Sequence, residues 1–485
     1  MTANGNSNDE TLNTDIVVIG GGGSGLAGAV AAAEKGAKVI VLEKRHALGG
    51  NSAMAGGLFA AESPVQKQRM IDARRDELFR LAMDYAHWKI NPRIVRAFVD
   101  KSGDTIRWLE EMEVNFSFLP AMYPNQVVRT MHIPRKGGAE VIGALAKVCK
   151  DIGIRLLRQS AAKRILISEK GNVTGVLAAT EEREFRILAR SAIIATGGYG
   201  GNKELLKKYY PSFSEDMHNV GLPHNGDGLL MAIEVGAATE GLGTLQLGGP
   251  HFLGLRHVNA VAQQPNTIWV NKNGERFTDE TVTFDLSLRG NVIDGQPGKI
   301  SYTLFDEQIK KSMIEEGLIN HEGVMALGIQ PATKLPELER GLQLEANKGQ
   351  VKISDSWDEI ASWMKAVPQV LKATIDEYNS FCERGHDKIF VKDPKYLVSL
   401  RTAPYYAIKC YSSYTDTIGG IKVNHHMQVL NHQDNLISGL YAAGVTVGGW
   451  QSDTYCFILS GSTFGFAINS GRIAGENAAK YVLAK

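Results

Sequence analysis

Apolar residues near the start of the chain fall in two short unbroken runs, IVVI at 16–19 and VIVL at 39–42, separated by a small-residue stretch ending in GLAGAVAAAEKG. Four aliphatic residues are too few for a helix and predict buried strands, whereas the alanine-rich stretch predicts a helix packed close on them. Residues 65–113 are charged at helical spacing, with Pro92 after Asn91 marking a helix start. A further helix is expected at 139–151, one strand at 153–167 (GIRLLRQSAAKRILI), and a β-meander at 172–188 around the polar TEEREF. The apolar SAIIATGG at 191–198 is expected to return to the first sheet, and NGDG at 225–228 to open the helix LLMAIEVGA.

From about residue 245 the glycine loops give way to mixed strands around NTIWVNKNGERFTDE, the amphipathic helix SWDEIASWM and a long charged helix at 370–384 that Gly385 stops. From residue 438 the earlier style resumes with GLYAAG, the loop GSTFG and a small-residue helix, AINSGRIAGENAAKYV. An interruption of this kind implies an inserted lobe: a disordered polar tail at 1–14, a nucleotide-binding domain at 15–244 and 401–485, and an inserted domain at 245–400.

Composition narrows the class without naming a chemistry. The 485 residues are 44% hydrophobic and 22% charged with net charge +1 and 52 glycines, which is ordinary for a soluble globular protein and gives no reason to expect nucleic acid or an anionic membrane as partner. The opening segment lacks the apolar core of a signal peptide, and no run reaches the roughly 18 apolar residues needed to span a bilayer. A cytoplasmic location without membrane insertion is therefore expected. Cys149, Cys382, Cys410 and Cys456 show no metal-ligand spacing, which argues against zinc, an iron–sulfur cluster or a c-type haem.

The candidate chemistry begins at Gly20, Gly22 and Gly25, which follow the first strand on G-x-G-x-x-G spacing and open the helix. The first glycine permits the tight turn, the second lets a pyrophosphate approach the backbone, and the third lets helix and strand pack closely. The helix N-terminus presents unpaired N–H groups to phosphate. Glu43 closes the second strand about 20 residues on, where a carboxylate accepts from ribose hydroxyls. The small-residue segment GGNSAMAGG at 49–57 lets backbone lie against a planar ligand.

Taken in order, VVIGGGGSGLAGA with Glu43, GGNSAMAGG, AIIATGGYGGN, NGDG, the pair PYYAI and TIGGIKV, and GLYAAG with the final glycine helix resemble the flavoprotein family of fumarate reductases, succinate dehydrogenase flavoprotein subunits, L-aspartate oxidase and 3-ketosteroid dehydrogenases. The resemblance covers nearly the whole chain. It implies an α/β fold in which a Rossmann-like, glutathione-reductase-type FAD-binding domain is split by an α+β capping domain. FAD is then assigned to Gly20, Gly22, Gly23, Ser24 and Gly25, to Glu43 and Lys44, and to Gly49, Gly50, Asn51, Ser52, Gly56 and Gly57. Ala195, Thr196, Gly197 and Gly198, Asn225 and Asp227, and Gly444, Ser460, Ser462 and Thr463 complete the set. Covalent members carry a histidine in the segment matching GGNSAMAGG, where this chain has Asn51 and Ser52, so noncovalent FAD is expected.

The family chemistry moves a hydride between flavin and carbon and a proton at the neighbouring carbon, making or saturating a C=C bond beside a carbonyl. Such a reaction needs an electrophilic clamp on the oxygen and a placed acid or base. Here the chain departs from the fumarate-reducing pattern: Phe284 stands where that branch has an arginine proton donor, and a second arginine is missing from GVTVGGWQSDTY. WQSDTYCFILSGSTFG resembles instead the ketosteroid dehydrogenase arrangement of a tyrosine and a glycine N–H on a ketone oxygen, with Tyr455 as the tyrosine and Gly461, at longer spacing, as the glycine. Tyr411 and Tyr414 are candidates for proton transfer, and His251 and Arg289 fall in segments facing the cap. Buried packing is the competing role for each tyrosine.

The leading expectation is an FAD oxidoreductase acting on a C=C bond conjugated to a carbonyl in a mostly apolar cyclic ketone, steroid-like or polyphenol-like. A small unsaturated acid, clamped by Arg256, Arg276, Arg289 or Arg401, is the second reading, and an amine or amino-acid oxidase the third. From a different class, the chain is a flavin-binding module or the flavin subunit of an electron-transfer assembly. Since no haem, cluster or second nucleotide motif is visible, an external electron donor or acceptor is expected as partner.

Overall fold

A computed structural model describes residues 11–116, 119–122, 126, 128–319 and 333–484. Its centre is a six-stranded sheet in the order Gln428–Leu430, Leu436–Ala442, Ser191–Ile194, Ile16–Ile19, Val39–Leu42 and Arg155–Leu157. Every neighbouring pair is parallel except the antiparallel edge strand Gln428–Leu430. Ile16–Ile19, Val39–Leu42 and Ser191–Ile194 are buried at every position, as expected of parallel strands covered on both faces. SAIIATGG thus does return beside the first strand.

The glycine helix Gly23–Ala33 covers this sheet together with the C-terminal helix Ser462–Leu483. A Cβ on Gly471 would overlap the Ser24 carbonyl and one on Gly475 the Gly28 carbonyl, so the two helices meet at backbone distance. This contact brings both ends of the chain into one core.

A four-stranded sheet lies beside it, ordered Thr11–Asn13, Glu184–Leu188, Val173–Ala179 and Ala161–Ile167. Two expectations are corrected here. Residues 1–10 lie outside the described residues, but Thr11–Asn13 is a strand in parallel register with Arg186 to Leu188, so the proposed 1–14 tail is ordered at its end. The single strand expected at 153–167 is two, Arg155–Leu157 in the central sheet and Ala161–Ile167 in the meander, because the chain turns at Gln159 with φ 52°.

A second lobe is built on the 17-residue strand Tyr405–Ile421, which pairs with Thr239–His251, Ile300–Asp306, Val351–Ser354 and His218–Asn219. Its own core includes Phe252, Leu304, Tyr378, Tyr406 and Ile408, separate from the core around the central sheet. The boundaries set at 245 and 400 need adjustment. Residue 245 falls inside the continuous strand Thr239–His251, and Tyr406, Ala407, Ile408 and Cys410 belong to the second core while Tyr414, Ile418 and Ile421 belong to the first. One long strand thus passes from one core into the other, and composition cannot mark that passage. Among the described residues, all four cysteines are free thiols and no helix is long and apolar enough to cross a membrane.

Candidate functional site

The turn after Ile16–Ile19 has the shape its glycines demand. Gly20 adopts φ 112° and donates its N–H to Leu42 (2.8 Å), and a Cβ on Gly25 would overlap the Gly20 carbonyl oxygen. Glu43 accepts from the Gly21 N–H (2.8 Å) and the Arg45 N–H (2.8 Å), which holds its carboxylate at the turn where the sequence placed it. Lys44 pairs with Asp227 (2.6 Å), joining the end of the second strand to the NGDG turn. Gly22 bridges Gly49, whose N–H donates to Gly21 (2.8 Å), and Ser52 stands over Gly23. Two segments 30 residues apart in sequence therefore form one backbone-walled hollow.

Some of the remaining cofactor candidates border it. The Ala195 N–H donates to Ile19 (2.8 Å), Gly197 lies against the His224 ring, and Gly198 accepts from the Gly226 N–H (3.2 Å). Gly444 borders Ser24 and donates to Ser470 Oγ (2.9 Å). Asn51 ties this hollow to the long strand Tyr405–Ile421: its Oδ1 accepts from the Leu222 N–H (2.7 Å) and its Nδ2 donates to Asp416 Oδ1 (2.8 Å). The other candidates make more local contacts. Gly57 packs under the His132 carbonyl and Gly56 beside Met131, the Asn225 carbonyl accepts from Asn202, and Ser460 donates to Phe457 (3.0 Å). Gly50 begins the short helix Gly50–Met54.

Whether FAD fits can be judged from unmet demand. The Thr196 and Thr446 hydroxyls are buried without a hydrogen-bond partner, although a buried polar group is normally satisfied. Thr196 lies two residues after the strand Ser191–Ile194, its hydroxyl against Gly228 of the NGDG turn, and Thr446 two residues after Gly444. A phosphate- and ribose-bearing ligand between the glycine turns supplies what such hydroxyls lack, so the residues fit FAD.

Two groups of polar side chains lie on the strand Thr239–His251. Around Gln246, Thr463 donates to Gln246 Oε1 (3.3 Å), and the Tyr455 hydroxyl accepts from Ser462 Oγ (3.0 Å) and the Thr463 N–H (3.4 Å). Gly461 precedes the helix with φ 85°, so this hydroxyl sits at a helix N-terminus. Burial pushes the Tyr455 pKa up, against the hydrogen bonds from Ser462 and Thr463, so the phenol stays protonated.

Around His251 the partners come from three elements. Tyr411 is its register partner on Tyr405–Ile421, His218 meets the Tyr411 ring edge-on at 4.9 Å, and Arg289 comes from the helix Leu286–Asp294. Burial, with His218 and Arg289 adding like charge, pushes the His251 pKa down to about 4, so its imidazole is neutral at physiological pH. Arg289 is 6% exposed and donates to Gln263 Oε1 (2.9 Å). Asp285, which caps its helix, has its own carboxyl pKa raised by burial.

Tyr414 does not join this group. It lies three residues from Tyr411, in the first core, and its hydroxyl donates to the Gly200 carbonyl (2.9 Å). Phe284 is buried against Tyr396 at 5.7 Å. Sequence reading missed His224, Asp416, His218, Gln246 and Gln263. His224 touches NGDG and Asp416 touches TIGG in sequence, so proximity to quoted motifs was the available signal for those two.

This α/β fold with its glycine-walled hollow defines a flavin-binding oxidoreductase, and residues 15–455 match the family described as FAD binding domain. The chain belongs to that family and is an FAD-dependent oxidoreductase. It is 32% identical over 482 residues to a vinyl phenol reductase of Lactiplantibacillus plantarum, covering 96% of each chain. It is 29% identical to a probable fumarate reductase, Ifc3, of Shewanella frigidimarina, covering 97% of this chain and 76% of that protein. Among solved structures, the open conformation of a flavocytochrome c3 fumarate reductase superposes with a TM-score of 0.74 at 27% identity, covering 97% of this chain and 79% of that one. A 3-ketosteroid-Δ4-(5α)-dehydrogenase of Rhodococcus jostii shares the fold with a TM-score of 0.76 at 22% identity, covering 97% of each chain.

Proposed function

We propose that the chain saturates a C=C bond conjugated to the oxygen of a neutral, ring-bearing substrate, an enone or a vinylphenol-like compound, taking electrons from an external donor. The reading carries over the glutathione-reductase-type description of the body, noncovalent FAD, and the second lobe as a cap over the substrate. The observation that carries it is the fate of the arginines. Arg276 is buried and paired with Glu280 (2.8 Å) and Asp387 (2.7 Å), and Arg401 pairs with Glu383 on the surface. Arg256 is exposed at the start of the helix Arg256–Val261. Arg289 alone joins the His251 group, and a dicarboxylate asks for more than one such clamp. The similarity to a vinyl phenol reductase supports the same substrate class.

When bound and reduced, FAD supplies the hydride. The chain holds the oxygen on which negative charge grows and delivers a proton to the other carbon. Arg289 gives a fixed positive charge, and the neutral His251 donates an N–H without changing its own charge state. Tyr455, whose oxygen accepts from the Thr463 N–H, has its own O–H to donate to the substrate oxygen. Tyr411 is the proposed proton donor to carbon. Phe284, buried against Tyr396, offers neither charge nor proton.

The test is anaerobic. Fully reduced enzyme is mixed separately with 4-vinylphenol, a cyclic enone and fumarate, and the return of oxidised-flavin absorbance is followed. Rapid reoxidation by either ring compound and not by fumarate is expected; reoxidation by fumarate alone moves the function to the small-acid reading.

A further inference from the structure

Outside the flavin hollow, the second lobe contains a cavity of about 400 Å³. Lys272, Lys365 and Lys409 line it with Tyr302 and Trp363, and among the described residues no aspartate or glutamate does. The two rings meet edge to face at 5.6 Å, so one wall is an aromatic corner. Lys365 ends the helix Trp357–Met364 in the left-handed region at φ 61°, which swings the chain round the rim, and Gly349 at φ 75° leaves the opposite rim open. Tyr302 faces Lys409 across two hydrogen-bonded strands, and burial pushes the Tyr302 pKa up to about 12, keeping a hydroxyl donor.

Three lysines bordering one concavity give it a positive field that favours an entering anion. Lysine acts as a compact point charge suited to phosphate, and an aromatic corner offers a face to a planar ring. The size falls within the range of small-ligand sites, about 300–1,000 Å³. The geometry points to this cavity as a second ligand site that takes a planar aromatic phosphate of the nucleotide class. The Lys409 ammonium also lies 5.2 Å from the Tyr411 ring centre, so a ligand drawing on Lys409 acts one contact from the His251 group.

The test uses FAD-loaded enzyme, with the glycine hollow already filled, titrated calorimetrically with adenosine 5′-monophosphate and in parallel with adenosine and with inorganic phosphate. The monophosphate is expected to bind at least about ten-fold tighter than either fragment, and more weakly as salt rises. Lys272→Ala/Lys365→Ala, which leaves Lys409 and Tyr411 in place, should weaken it about ten-fold with an unchanged flavin spectrum. Trp363→Leu should reduce it to the affinity of phosphate. The proposal is overturned if the monophosphate does not bind, if the double variant leaves its affinity unchanged, or if phosphate alone binds as tightly. No readout depends on turnover, so this outcome and that of the reductase test are independent.

Discussion

Two buried groups in this protein each hold an arginine and differ in the partners around it. In the first, Arg276 and Lys392 meet Glu280 and Asp387, with Arg276–Glu280 at 2.8 Å, Lys392–Glu280 at 2.9 Å and Arg276–Asp387 at 2.7 Å. Complete burial opposes ionisation of Glu280, yet Lys392 and Arg276 outweigh it and hold its carboxyl below the ordinary range. Both cations also lie over the Tyr378 ring. In the second, Arg289 donates to the neutral amide of Gln263, and His251 is kept neutral beside His218 and Tyr411. The first group matches charge with charge and therefore fixes the lobe. The second joins Arg289 to the amide oxygen of Gln263 and, through space, to the Asp285 carboxyl, whose charged form burial disfavours, with the neutral His251 beside them. Arginine in a buried position is thus not a sign of catalysis by itself; its partners decide.

Removing Glu280's charge should break this contrast most sharply. Glu280→Gln leaves Arg276 and Lys392 buried with one carboxylate between them and should cost about 3–5 kcal/mol in chemical denaturation. A loss under 1 kcal/mol would mean the group does not brace the lobe. Arg289→Gln should act on the reaction instead, lowering kcat about 10²–10³-fold at unchanged flavin content. Tyr455→Phe keeps the ring and removes the hydroxyl; kcat should fall about 10²-fold with FAD retained, and unchanged turnover would return Tyr455 to packing.

The smallest effect is on pH. The folded His251 pKa of about 4 lies below its ordinary value near 6.5, so between these values the unfolded chain binds a proton that the folded chain does not. Its contribution is complete above about pH 6.5, falls as pH drops toward 4 and is flat below. His251→Asn should therefore lessen the loss of stability between pH 7 and 5 by about 1–2 kcal/mol in paired denaturation curves. His132, buried and likewise lowered to about 4, will retain its own share of the acid loss in both proteins.

The cofactor hollow was legible because its signals are local. Ile16–Ile19, Gly20, Gly25, the helix and Val39–Leu42 follow within about 30 residues, and each demands its neighbour's geometry. Gly385 as the stop of Pro368–Arg384 was legible for the same reason, since a left-handed end at φ 65° favours glycine. The proposed reaction site was only partly legible. Tyr411, Arg289 and His251 were named singly, but nothing local tells Tyr411 from Tyr414. Three residues along one strand place them on opposite faces, so one meets His218 and the other the Gly200 carbonyl.

The sequence by itself determined the class of cofactor and the parallel strands of the domain that binds it. These depend on residue type at short spacing, where steric and hydrogen-bonding demands act between near neighbours. Only the tertiary structure decided which arginine is braced by carboxylates, which tyrosine hydroxyl is committed to backbone, where the long strand leaves one core for the other, and that three lysines share one cavity. Each is a contact between segments far apart in the chain, and burial and charge pairing exist only once those segments have met.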